Sequence, residues 1–396
     1  LYSPDGAQEP DRGSILTEIK EERPIAEGTG GAEEARGQAE TVGRDAAAAT
    51  DAIVHKGRKR GGRAGFAAGD ISIALGLAGL LPLAWLLPEA AWRPFWQVLS
   101  HTPLVTSRRA VARNGASIRR ALNHGTAEDI GERRAQAIAR ALKACVYEIR
   151  MQDLRAWRPF GTDAFGGGWR PKLSLEGEAH LKTALAGGKG AVLWVSPTVF
   201  NSLPTKIALA EAGHRVSHLS SPNHGFSETA FGVRTLNRIR CIPEDRYLAA
   251  RVTFDKDAPA TAMRRLMRAV KAGEVVSIVA ANTEGYEMVE GPIFGGRLPV
   301  AVGAPRLAAL TGAPLLPVFV VRDENGPYGG LGFRVAIEAP IELPRELKGD
   351  ARTIAAVAEY LRRSEPWVRQ YPEQWRAWSK WKAPKPAQMP VVGPLP

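Results

Sequence analysis

Four groups of residues in this chain have the types and spacing to do chemistry. The stretch GAVLWVSPTVFNS, Gly190 to Ser202, begins as an apolar strand run and ends in small polar residues, as a loop does at the end of a buried strand. In SPNHGFSET, His224 precedes Glu228 in the composition of a general base and its orienting carboxylate. FGVRTLNRIRC carries Arg234, Arg238 and Arg240, and FGGR carries Arg297; guanidinium forks suit phosphate. ANTEGYE carries Glu284 and Gly285 behind an apolar run. Each group has a plainer alternative. His224 reads equally as a polar loop histidine, the arginines as solvated charges, and NTEG as good turn chemistry. His218 alternates into a strand and reads as structural.

Other chemistries lack their residues. Cys145 and Cys241 have neither zinc-site nor CxxC spacing, and a reducing, cytoplasm-facing setting fits them. The seven histidines form no HExxH or HxH pair, so no histidine-built metal centre is expected. The net charge of +12 points to an anionic partner: nucleic acid, an anionic membrane surface or a phosphorylated substrate. No RRM, KH, zinc-finger or helix-turn-helix signature supports nucleic acid.

The elements that must position these residues follow from periodicity. Residues 1–62 lack a persistent apolar period and are expected to be disordered. A basic run, HKGRKRGGRAGF, leads into the uncharged Ile71–Leu87, with Pro82 expected to kink a helix there and Trp85, Trp92 and Trp96 placed as interfacial aromatics. Residues 63–100 are therefore expected to form a membrane anchor, as a span or as a shallower segment; a buried core helix is the plainer reading. Residues 108–158 read as helices with basic faces suited to anionic headgroups. From Lys172, strand and helix alternate at βαβ spacing, which predicts an α/β fold with a largely parallel sheet flanked by helices. The main domain is expected over 101–382, followed by an aromatic-rich end and a loose Pro-rich tail over 383–396.

Three stretches in order carry a resemblance: LEGEAHLKTALAGGKGAVL, GPIFGGRLPVAVGAPRLAALTGAPLLPVF and YPEQWRAW. With the anchor and the Arg-rich helices, they resemble the late (lauroyl/myristoyl) acyltransferases of lipid A biosynthesis, within the lysophospholipid acyltransferase superfamily, over roughly residues 70–382. The resemblance implies a glycerolipid acyltransferase-like fold at the cytoplasmic face of a bacterial inner membrane. It implies transfer of a fatty acyl chain from acyl carrier protein or acyl-CoA to a hydroxyl of an anionic, lipid A-like acceptor, with no metal or organic cofactor and no nucleic acid. Glu284-Gly285 matches the motif that grips the acceptor's glycerol or sugar, and Arg234, Arg238 and Arg240 lie where the family sets an Arg on acceptor phosphate. The family's H-x4-D/E dyad does not carry over: Pro197 stands at the His position and Ser202 at the acidic one. Three readings stay open: a non-catalytic homologue that binds lipid, a slow or altered acyltransferase, and an acyltransferase whose base comes from elsewhere, His224 being the recruit.

Overall fold

The computed structural model describes residues 55–56, 64–127, 129–157, 168–254, 259–281, 287–324, 326–328, 330–344 and 346–384. The segment expected to be disordered, apart from residues 55–56, most of the basic run, Glu284, Gly285 and the tail from 385 lie outside the described residues. In chain order the strand β1 (His55–Lys56) is followed by helices α1 (Ala68–Leu86), α2 (Glu89–Leu99), α3 (Arg108–Leu122) and α4 (Glu132–Ala156). Then come β2 (Lys172–Glu176), α5 (Glu178–Ala186), β3 (Ala191–Val195), α6 (Leu203–Glu211), β4 (Val216–Ser220), α7 (Ala230–Arg234), α8 (Arg238–Asp245) and β5 (Leu248–Thr253). The remainder is α9 (Pro259–Lys271), β6 (Val275–Val279), β7 (Glu287–Ile293), β8 (Gly296–Ala301), α10 (Gly303–Thr311), β9 (Leu315–Arg322), β10 (Gly332–Ile337) and α11 (Gly349–Gln370).

Strand alternation builds two cores. Val192 and Trp194 of β3 pack with one cluster, while Ala191, Leu193 and Val195 pack with the other. All five are buried, as in a strand covered on both faces. The main sheet has the order β2-β10-β9-β3-β6-β4-β5. Pairs β9-β3, β3-β6, β6-β4 and β4-β5 are parallel, β10-β9 is antiparallel and β2-β10 parallel. The sheet is thus mixed, mostly parallel and flanked by helices. The carboxyl ends of β3, β4, β5 and β6 gather on one edge, where open α/β sheets place their ligands.

The FGGR stretch proves to be the turn of an antiparallel hairpin, β7-β8, in a second small sheet with β1. Phe294 and Gly295 turn it with φ of 51° and 65°, the left-handed pair of a tight two-residue hairpin. A left-handed non-glycine residue costs about 1–3 kcal/mol, offset by its surroundings. Here the Phe294 ring is buried and stacks on Trp378 at 5.8 Å.

The YPEQWRAW stretch closes the fold over β3. Gln374 donates to the Arg322 carbonyl at 2.9 Å and accepts from the Arg322 amide at 2.7 Å. Its own carbonyl receives the Val199 amide at 2.8 Å. Trp375 pairs with Thr198, and Lys382 with Arg297, so one segment ties the loop after β3 to the hairpin. Trp375 is 2% exposed. Trp375→Ala is expected to destabilise the protein by about 3–5 kcal/mol, as deletion of a buried aromatic does, checked by denaturant unfolding.

Helix α1 is the one helix among the described residues long and apolar enough to cross a membrane. It runs on through Pro82. Trp92 and Trp96 depart from the expectation: both are buried in the main core, Trp96 stacked on Tyr147 at 4.8 Å, and they do not face an interface. Their spacing on α2 turns both rings toward α4.

Candidate functional site

At the carboxyl edge of the sheet, one buried carboxylate organises a cluster of charges. Glu244, on α8, is 1% exposed. His224 Nε2, from the loop after β4, lies 3.0 Å from each of its oxygens. Lys206 Nζ, on α6, lies 2.9 Å away, and Arg251 Nη2, on β5, 2.8 Å away. Ser202, at the start of α6, donates its hydroxyl to Glu244 and accepts from Lys206 Nζ at 2.9 Å. Three segments, α6, the loop after β4 and β5, thus converge on the carboxylate that α8 supplies.

The charge balance sets the protonation states. Burial alone raises a carboxyl pKa, but here His224, by its charge when protonated and by its hydrogen bond, with the charges of Lys206 and Arg251, overcomes it and holds Glu244 well below the usual carboxylate range. Burial lowers His224, against the attraction of Glu244, so its imidazole is neutral near pH 7. Burial also lowers Lys206, with Glu244 opposing. A neutral imidazole fixed through one nitrogen by an ionised carboxylate is the arrangement a general base needs. The His224 side chain keeps 21% of its exposure, so it is not sealed off.

Loop chemistry fixes His224 in place. Its amide donates to the Ser221 carbonyl at 3.1 Å. Asn237 Oδ1 accepts from the Phe226 and Ser227 amides at 2.7 and 2.9 Å, and its Nδ2 returns a bond to the Ser227 carbonyl at 2.8 Å. A Cβ added to Gly232 would lie 2.1 Å from Ser227 Oγ and 2.2 Å from its Cβ. Gly232→Ala is therefore expected to cost about 1–3 kcal/mol by overpacking and to perturb the His224 loop, read by thermal unfolding.

The carboxylate expected beside His224 from local spacing was Glu228; the structure pairs His224 with Glu244 instead, and Glu228 is exposed. Arg240 is committed to Asp153 of α4, with Nε at 2.9 Å and Nη2 at 2.5 Å from one oxygen. Arg234 and Arg238 are exposed on the same stretch. Arg297 is half-buried on β8 and its backbone pairs with Lys382. Glu284 and Gly285 belong to the connection between β6 and β7. That connection leaves the sheet beside the loop after β3, because the Ala280 amide donates to the Val195 carbonyl at 2.8 Å.

The loop Ser196–Ser202 is closed. Thr198 Oγ1 donates to the Val320 carbonyl at 2.6 Å and Asn201 Nδ2 to the Ser196 carbonyl at 2.8 Å. Between Pro197, Trp367, Tyr371 and Trp375 the described residues leave barely the room of one water molecule. Among the described residues there is thus no titratable group at Pro197 and no acyl-sized space beside it. His218 is buried and bonded through Nδ1 to Ser277 Oγ at 2.7 Å, as its strand position implied. Burial pushes the Cys145 thiol up to about 12, so it is not a nucleophile.

Glu244, Lys206, Arg251 and Asp153 were not singled out by the sequence. The one available signal was a carboxylate pair, Glu244-Asp245, set among four arginines between 238 and 251.

No curated protein matches the chain. A family model does: residues 235–382, from the end of α7 through the aromatic C-terminal segment, match that of the bacterial lipid A biosynthesis acyltransferases, which points to this acyltransferase superfamily.

Proposed function

We propose that this protein moves a fatty acyl chain from a carrier thioester, acyl carrier protein or acyl-CoA, to a hydroxyl of an anionic lipid at the cytoplasmic face of a bacterial inner membrane. His224 serves as its base. The observation that carries this reading is the His224–Glu244 contact, 3.0 Å from Nε2 to either oxygen of a carboxylate with no exposure to speak of. The family match supports the reaction class.

With Nε2–H held by Glu244, Nδ1 carries the lone pair. It takes the proton of the acceptor hydroxyl as that oxygen attacks the thioester carbonyl carbon. The C–S bond then breaks, and the imidazolium returns its proton to the departing thiolate. Glu244 stays ionised throughout and stabilises the imidazolium, the role a triad carboxylate plays. Arg234, Arg238 and Arg297 are assigned to acceptor phosphate and Glu284-Gly285 to its sugar or glycerol. Arg240, bound to Asp153, instead holds α8 against α4.

A second reading, a lipid-binding homologue without activity, is favoured by the closed loop at Pro197. The two separate in one assay: purified full-length protein with an acyl thioester and lysolipid acceptors, products identified by mass. Acyl transfer lost in His224→Ala supports the first reading. Binding of lysolipid without any turnover by wild type supports the second.

A further inference from the structure

Helix α1 is held at both ends by the same folded unit. At its start, buried Asp70 accepts from Ser227 Oγ at 2.5 Å, Thr229 Oγ1 at 2.8 Å and the Ala67 amide at 2.9 Å. Just ahead of it, the Ala230 and Phe231 amides donate to the carbonyls of Ala64 and Gly65 at 3.0 and 2.9 Å. At its far end, Trp85 Nε1 donates to the Leu154 carbonyl at 3.1 Å. Arg155 Nη2 and Trp92 Nε1 both donate to the Leu87 carbonyl, at 3.1 and 3.0 Å.

Between these clasps one face of α1 packs on the main core through Leu77 and Ala84, with Ile73, Ala74, Leu80 and Leu81 partly buried beside them, and the other face is open. Its buried residues are Asp70, Leu77 and Ala84, a single stripe at heptad spacing. A helix apolar all round belongs in a core or in lipid, and only one face of this one meets a core. Among the described residues, every exposed large hydrophobic side chain lies within 66–104 or at Phe231, apart from Leu310 and Tyr328. Leu75 is 69% exposed, Leu86 83% and Leu104 86%. Phe66 and Phe231 meet edge to face at 5.3 Å, which brings Phe231, distant in sequence, to the start of the helix. Exposed arginines follow its residues in sequence: Arg234 and Arg238 after Phe231, Arg108 and Arg109 after Leu104. An apolar face followed in sequence by exposed arginines fits a bilayer carrying anionic headgroups.

At 1.5 Å per residue a helix of this length could cross a hydrocarbon core of about 30 Å. Crossing would put its two clasps on opposite sides of the membrane, and both clasps are made by charged, hydrogen-bonded parts of one α/β unit. We propose that α1 lies in the plane of an anionic membrane surface, with both ends on one side, its open side in the acyl boundary and Arg234 and Arg238 on headgroups. The placement rests on the membrane association in the functional reading, not on the acyl-transfer step. It has a consequence for the site: Ser227 and Thr229, which hold Asp70, continue the loop that carries His224, so His224 is kept at the lipid surface.

The test uses full-length protein added to preformed vesicles of phosphatidylcholine with phosphatidylglycerol. In a Cys241→Ser background, which leaves only the buried Cys145, single cysteines are placed at the two ends of the helix, Ala64→Cys and Ala90→Cys, and on the domain, Lys189→Cys. The protein is expected to float with the anionic vesicles, less with phosphatidylcholine alone, and all three cysteines should react with an impermeant maleimide added outside. Protection of either helix-end cysteine until detergent is added overturns the in-plane placement. Failure to float, with self-association in solution, assigns the apolar face to a second copy and overturns it as well. Neither result depends on turnover, so loss of the acyl-transfer reading would be seen separately.

Discussion

His224→Ala is expected to lower acyl transfer by about two to four orders of magnitude, the range general-base catalysis supplies. The thioester donor is already activated, so residual turnover from positioning alone is expected to remain above background. The loss should fall on kcat more than on KM, because in the proposed mechanism His224 meets the reacting hydroxyl and the acceptor is held elsewhere. His224→Gln separates base from packing: glutamine can still donate a hydrogen bond to Glu244 but has no basic nitrogen. It should keep the wild-type unfolding free energy within about 1 kcal/mol and lose the activity. Placing a histidine at position 197 should not be needed, and Pro197→His alone should not rescue His224→Ala, since the pocket there is filled by Trp375 and Tyr371.

Glu244→Gln is expected to destabilise the fold as strongly as Trp375→Ala. It leaves Lys206, Arg251 and His224 facing a neutral amide in a buried site, and breaking a buried ion pair from one side costs about 3–5 kcal/mol. Denaturant unfolding of wild type and variant gives the difference. Acid dependence follows from the same cluster. Glu244 is held well below its ordinary 4.5, so its contribution is full above that value and is lost as pH falls through the lower, folded pKa. His224 is lowered from 6.5, so below pH 6.5 the unfolded chain binds a proton that the folded chain refuses. Both terms weaken the fold toward acid. Wild-type stability should decline from about pH 6.5 downward, and Glu244→Gln should lack the steeper, more acidic part of the decline.

How far the sequence carried this picture depends on the range of each interaction. Strands such as AVLWV and VVSIV were legible because burial on both faces writes a continuous apolar run into the chain. The β7-β8 hairpin was not, because Pro292 and Pro299 break the strand signal and the turn residue Phe294 is held by aromatic packing from the C-terminus. β5 was missed because LAARVT alternates weakly and lies at the sheet edge. At the site, His224 could be named from its loop, but its carboxylate could not. Local spacing favoured Glu228, and only the return of α8 across the loop brings Glu244 to the imidazole. Lys206 reads in LPTKIALAE as an ordinary solvated charge, yet α6 turns it inward to Ser202 and Glu244. Arg240 reads as one of three phosphate ligands, and its distant partner Asp153 takes it out of that set.

The central claim is that His224, held by Glu244, is the base that replaces the missing histidine at 197. The most direct measurement is the pH dependence of kcat for acyl transfer by wild type and His224→Gln, with product identified by mass. The account predicts a wild-type rate that rises with pH through one ionisation below the ordinary imidazole value of 6.5 and then levels off, and a His224→Gln rate that is low and lacks that step. Unchanged turnover and an unchanged profile in His224→Gln would contradict it.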